Sequence, residues 1–212
     1  GCQVVIRSHG ESRAVYEALQ ARGANILDAT CPNVKRIHQI VSQAEEQGRQ
    51  PVIVGTPDHP EVVAIAGWCR RPVVLSGAED LTKWLSEDPK RRDLPLTFVS
   101  QTTSTQKIWN DCVKKAKKEC TNPEFFDTIC GATSKRQEEA HQLAAVCDNM
   151  VVIGDRKKLQ YQAFDRDLPG GMSQRAADRT GGGAGLEPAG PGRSCRHHCG
   201  CFHTRVDNKG GL

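Results

Sequence analysis

The chain has 212 residues, 37% hydrophobic and 25% charged, with a net charge of +4. That balance suits one ordinary soluble domain or two small ones, and it excludes a collagen, a wholly disordered chain and a membrane span, since no run reaches the roughly 18 apolar residues a bilayer crossing needs. The basic residues form no stripe with interleaved aromatics, so no nucleic-acid partner is expected; the first residues carry neither a starting Met nor a signal pattern, which predicts a cytoplasmic chain cut at its N-terminus.

From Gly1 to about Lys157, short β-branched runs alternate with helix-period stretches. QVVIRSHG (3–10) leads to a helix near Glu11 to Arg22 stopped by Gly23, and ANILDATC (24–31) to one near Asn33 to Gln47 stopped by Gly48. PVIVG (51–55), PVVLSG (72–77), PLTFVSQTT (95–103), FFDTIC (125–130) and NMVVIG (149–154) read as further strands. Helical patterns around 60–68, 79–86, 104–119 and 134–146 separate them. Near-continuous apolar strands alternating with helices predict an α/β protein with parallel sheets and flanking helices. From Lys158 onward the character changes: 11 of the 20 Gly fall in the last 55 residues, Ile is absent, and the stretch is expected to be disordered.

In open parallel sheets, ligands bind where strands end at their carboxyl side, because loops and helix N-termini there present N–H groups. That filter selects His9 after VVIRS, Cys31 after ILDAT, His59 and Glu61 after VIVG, Gln101, Thr102 and Thr103 after FVS, and Cys130 after FFDTI. Each has a plain structural reading as well. The two Cys can be buried apolar residues, Pro32 can open a helix, His9 can sit in a turn, His59-Pro60-Glu61 can start a helix, and Thr102 or Thr103 is expected to cap one. The coincidence of all of them at one edge points to a site. Thiolates suit iron–sulfur or zinc, and His, Thr and backbone N–H groups suit an anionic substrate. Cys69, Cys112, Cys120 and Cys147 lie away from that edge and are expected to be structural.

Taken together, RSHG (7–10), DATCPNV (28–34), HPEV (59–62) with GWC (67–69), SQTT (100–103) and ICGATSKRQEEA (129–140) resemble the hydroxymethylbutenyl diphosphate reductases, the LytB family. The resemblance implies a three-lobed α/β reductase around a 4Fe–4S cluster, with one cysteine per lobe. It assigns residues 1–31 to a first lobe, 32–126 to a second and 127–157 to the start of a third. Cys31 and Cys130 match two cluster ligands, and the third is expected ahead of Gly1, so that the chain as it stands is expected to be inactive. Glu61 matches the proton donor, Thr102 a hydroxyl relaying to it, and His9 and His59 residues on the diphosphate side. The implied partners are an allylic diphosphate substrate and a ferredoxin or flavodoxin electron donor, with no nucleic acid and no membrane.

The resemblance stops where the composition shifts. The family's Ser-Ser-Asn-Thr turn is absent, yet AAG CTC CAA TAC CAA, one spelling of Lys158 to Gln162, gives it when read one base later. The same shift turns the ending into a family-like Ile-Thr-Ala-Gly-Ala-Ser segment. Residues 158–212 are therefore expected to be an out-of-frame tail, and its Cys195, His197, His198, Cys199, Cys201 and His203 a shadow of another frame rather than a zinc site. The rival reading is a non-enzymatic α/β domain that binds a phosphate ligand and has only structural cysteines.

Overall fold

The computed structural model describes residues 1–146, 149–153 and 173–177, with side chains through residue 145. It divides into two compact units, Gly1–Cys130 and Gly131–Leu212. In the first unit, β1 (Gln3–Ile6), α1 (Arg13–Ala21) and β2 (Asn25–Asp28) form a two-stranded parallel sheet with its helix. There follow α2 (Pro32–Glu46), β3 (Gln50–Val54), α3 (Pro60–Ala66), β4 (Val73–Leu75), α4 (Ala78–Glu87), a 3-10 turn (Pro89–Asp93), β5 (Pro95–Ser100), α5 (Gln106–Glu119) and β6 (Asn122–Phe126). Their four strands pair in parallel in the order β4-β3-β5-β6. The expected α/β architecture of parallel sheets with flanking helices is what forms.

The strand sequence explains the two covered faces. Alternate side chains of β3 point to opposite faces, and all of Val52, Ile53 and Val54 are fully buried. Val52 and Val54 join Leu96 and Phe98 of β5 in a core with Leu81, Leu85 and Trp109 from α4 and α5. Ile53 and Val99 face the other way, against Ile37 and Val41 of α2 and Val62 and Ile65 of α3. Periodicity 3.6 on the helices and 2 on the strands thus meets in one three-layer packing.

The small sheet is fixed to this body through Trp68, just beyond α3. The Trp68 indole N–H donates to the Glu11 carbonyl (2.9 Å), and Arg13 lies over its ring at 5.3 Å. His38 of α2 also stacks on Trp68, at 4.8 Å with the rings 16° apart. Gly10, at φ +74°, closes the contact: a Cβ there would meet His38 Cε1 at 2.7 Å, so neither the backbone angle nor the space admits another residue.

Three expectations shift. The strand expected at 125–130 lies at Asn122–Phe126, because Pro95 to Val99 pair in register with Asn122 to Phe126. Asp127 then turns the chain by accepting from the Ile129 N–H, while the Thr128 hydroxyl donates to the Ser100 carbonyl. The helix after β5 is capped by Thr105, which accepts from Ile108 N–H, and not by Thr102 or Thr103, whose hydroxyls are engaged elsewhere. In the second unit, α6 (Gly131–Val146) and β7 (Asn149–Ile153) fall as expected. Within the tail expected to be disordered, Ser173–Ala177 forms a strand, β8, that pairs in parallel with β7. Cys147, the Lys158 to Gln162 frame reading and the Cys195 to His203 cluster lie outside the described residues. Among the described residues, no helix is long and apolar enough to cross a membrane.

Burial pushes the His38 pKa down from 6.5 to about 4. The unfolded chain therefore binds a proton in that window that the folded chain refuses, so stability falls as pH drops from 6.5 to about 4, by on the order of 3 kcal/mol in full. Urea denaturation across the window will show this slope in the native chain and lose that part of it in His38→Gln.

Candidate functional site

The strand order creates the site. From β3 the chain moves out to β4, then crosses back over β3 to β5 and onward to β6, so the loops after β3 and β5 diverge at the carboxyl edge, where open α/β sheets bind their ligands. Gln101 ties the two loops together. Fully buried, it accepts from the Thr56 N–H (3.0 Å) and donates to the Thr103 hydroxyl (3.1 Å). A Cβ on Gly55 would come within 2.8 Å of both Gln101 Cβ and Oε1, so this junction closes only over glycine.

Glu61 opens α3 in the first turn, after Pro60. His59 is the N-cap, its Nδ1 accepting from the Glu61 N–H at 3.1 Å. The neutral His59 ring therefore carries its proton on Nε2, and it meets the His9 ring edge-on at 5.6 Å. The Glu61 carboxylate is 3% exposed and turned toward β5, where the Thr102 N–H donates to Oε1 and the Thr102 hydroxyl to Oε2, both at 2.7 Å. Burial raises its pKa, and the two Thr102 hydrogen bonds oppose this without cancelling it.

Thr102 also reaches Cys130, whose backbone N–H donates to the Thr102 carbonyl at 2.9 Å. The Cys130 sulfur receives the side-chain amide of Asn33 at 3.4 Å. Asn33 stands two residues after Cys31, the N-cap of α2, whose own N–H donates to the Ser8 carbonyl next to His9. Both cysteines are free and half-buried. The turn that delivers Cys31 is held by Asp28, which accepts from the Thr30 N–H and hydroxyl and from Tyr16, and pairs with Lys35 at 2.7 Å. Burial works to raise the Asp28 pKa, but the bonds from Lys35 and Thr30 outweigh it and hold the carboxyl well below the usual range. His9, Cys31, His59, Glu61, Thr102 and Cys130 are thus linked through short contacts along one edge of the first unit.

A family model described as LytB protein matches residues 2–158. The chain belongs to the LytB protein family. It is 39% identical over 166 residues to the 4-hydroxy-3-methylbut-2-enyl diphosphate reductase of Caldanaerobacter subterraneus subsp. tengcongensis, covering 76% of this chain and 54% of that protein. The reductase of Clostridioides difficile is 36% identical over 160 residues, covering 75% and 56%. A solved (E)-4-hydroxy-3-methyl-but-2-enyl diphosphate reductase, the terminal enzyme of the non-mevalonate pathway, superposes with a TM-score of 0.57 at 31% identity over 81% of this chain and 62% of that one. The Plasmodium falciparum reductase shares the fold, with a TM-score of 0.72 at 22% identity over 84% and 55%. The chain spans about half the length of the curated relatives it matches.

In this LytB chain the plain structural readings of several residues hold: Pro32 does open α2, His59 does cap α3, and His9 does sit in a turn, closed by the Gly10 N–H on the Arg7 carbonyl. Cys69 and Cys112 have their thiols pushed up by burial to about 12 and about 11, and burial raises Cys120 too, as suits structural cysteines. Asn33 and Thr128 escaped the sequence reading because their contacts cross 97 and 28 residues. Asp28 had a local signal, the Asp-x-Thr spacing of an Asx turn. Among the described residues no group of three His, Cys, Asp or Glu could hold a metal ion.

Thr102→Val keeps the shape and removes the hydroxyl donor, leaving one buried Glu61 oxygen without its partner. Urea denaturation is expected to show a loss of about 1–3 kcal/mol.

Proposed function

We propose that this chain is the part of an iron–sulfur reductase that donates the proton in reductive dehydroxylation of (E)-4-hydroxy-3-methylbut-2-enyl diphosphate. In that reaction two electrons and two protons enter, the allylic C–O bond breaks, water leaves, and isopentenyl and dimethylallyl diphosphates form. The observation that carries the reading is the buried Glu61, gripped by Thr102, which also holds the backbone of Cys130.

Cys31 and Cys130 would hold a 4Fe–4S cluster as two of its thiolates. Both are free and half-buried, Cys31 at the cap of α2 and Cys130 bonded through its sulfur to Asn33 of the same helix start, and soft thiolate donors suit such a cluster. When bound, the cluster supplies the electrons and a Lewis-acidic iron for the leaving hydroxyl.

The chain's own residues do the rest. Glu61, its pKa raised, keeps its proton to higher pH than an exposed glutamate and can give it to the departing oxygen. The Thr102 hydroxyl both donates and accepts, so as Glu61 protonates it can reverse and pass its hydrogen outward. His59, with its proton on Nε2, and His9 beside it supply nitrogen donors for diphosphate oxygens. In this reading residues 1–31 belong to a first lobe, 32–126 to a second and 127–157 to a third. The protein works in the cytoplasm, and a ferredoxin or flavodoxin brings the electrons.

Anaerobic reconstitution with iron and sulfide tests this. A brown, oxygen-labile chromophore is expected, and Cys31→Ser or Cys130→Ser is expected to abolish it; a colourless chain that still binds the diphosphate would instead make it a phosphate-binding domain.

A further inference from the structure

Asn33 is an exposed residue at the second helical position of α2, following Cys31 at the cap and Pro32. An amide there has a common local use, hydrogen bonding to the backbone of its own helix end. Instead its Nδ2 lies 3.4 Å from the sulfur of Cys130, 97 residues away. The bond is an N–H donor on a sulfur acceptor, and its value depends on the charge that sulfur carries. On a neutral thiol it is weak; on a thiolate it becomes a charge-assisted bond. Hydrogen bonds to ligand sulfurs are one of the means by which a protein sets the potential of an iron–sulfur centre, because they favour the more negative, reduced state.

We propose that Asn33 is a positioning residue for Cys130, and that its amide raises the reduction potential of the cluster that Cys31 and Cys130 hold. The inference rests on the iron–sulfur reading above and adds to it a residue of a different chemical type. Asn33 acts on the same helix start that carries Cys31, so one side chain fixes the sulfur of the second cysteine relative to the backbone that presents the first. Cys130 is then held on both sides, its sulfur by Asn33 and its N–H by the Thr102 carbonyl. Orientation of the thiolate and the electron affinity of the centre are set by the same contact.

The test is an anaerobic redox titration of the iron-loaded chain, followed by electron paramagnetic resonance. In each reduction dithionite gives one electron to the cluster, and no covalent bond of the chain is made or broken. Asn33→Leu keeps bulk over the sulfur but removes the N–H. The expected result is a lower midpoint potential, with the equilibrium for one-electron reduction weakened about tenfold, which is about 59 mV for a one-electron couple. A purely structural role would change cluster yield and leave the potential where it was. Asn33→Ala, a mild change at an exposed helical position, gives the same reading if the larger side chain blocks loading. A loaded variant with the native potential overturns this inference and leaves the proposed function standing. A native chain that takes up no cluster overturns the proposed function, and this inference with it.

Discussion

Thr102 is held at three atoms, and the site depends on all three. Its N–H and hydroxyl bind the two oxygens of Glu61, and its carbonyl receives the N–H of Cys130. A buried carboxylate would be costly without such partners, because each unsatisfied oxygen forfeits its hydration. Here the same residue that stabilises the carboxylate also holds the backbone of Cys130. The geometry is possible because β5 lies beside β3, so the loops that carry Thr102 and Glu61 part at the switch in strand order. Gln101, packed on Gly55, keeps those loops at one separation.

The histidine side of the site depends on a second constraint, the packing around Trp68. His38, Trp68 and Arg13 form a stack that fixes the small sheet against α2 and α3, and Gly10 is the point where the backbone comes too close for any side chain. His9 precedes that glycine. Its position against His59 therefore follows from the closeness of Gly10 to His38, which is a matter of packing rather than of chemistry at the site. A neutral, buried His38 suits this role: it supplies a flat ring, and burial keeps it uncharged.

Much of this was legible in the amino-acid sequence, for identifiable reasons. PVIV is apolar on both faces and TFVS places Phe98 and Val99 on opposite ones, so parallel strands covered twice could be expected, and Pro32, Pro60, Gly23 and Gly48 mark helix ends by local rules that need no partner. The candidate residues could be gathered because ligand-binding groups collect at the carboxyl ends of strands in open parallel sheets, whatever the family. What was hidden is set by distance along the chain. The register of β6 is fixed by its pairing with β5 and by Thr128 taking over the last rungs of the ladder, not by the aromatic pair Phe125 and Phe126 that suggested a later strand. The helix cap fell to Thr105 because Thr102 was drawn to Glu61, a residue 41 positions earlier. The Asn33 amide on Cys130 is of the same kind.

The proposed donor role requires that Glu61 hold a proton it can give. Because its folded pKa is raised, protonated Glu61 favours the folded state: that contribution is fully present below the ordinary carboxyl pKa and is lost as pH rises through the raised value. The direct measurement is a carbon-13 NMR titration of the Glu61 carboxyl in the native chain, assigned by comparison with Glu61→Gln. The expected midpoint lies above 4.5, the ordinary value for a glutamate. A midpoint at or below it would mean that the Thr102 hydrogen bonds outweigh burial, and Glu61 would then be a fixed anion rather than a donor.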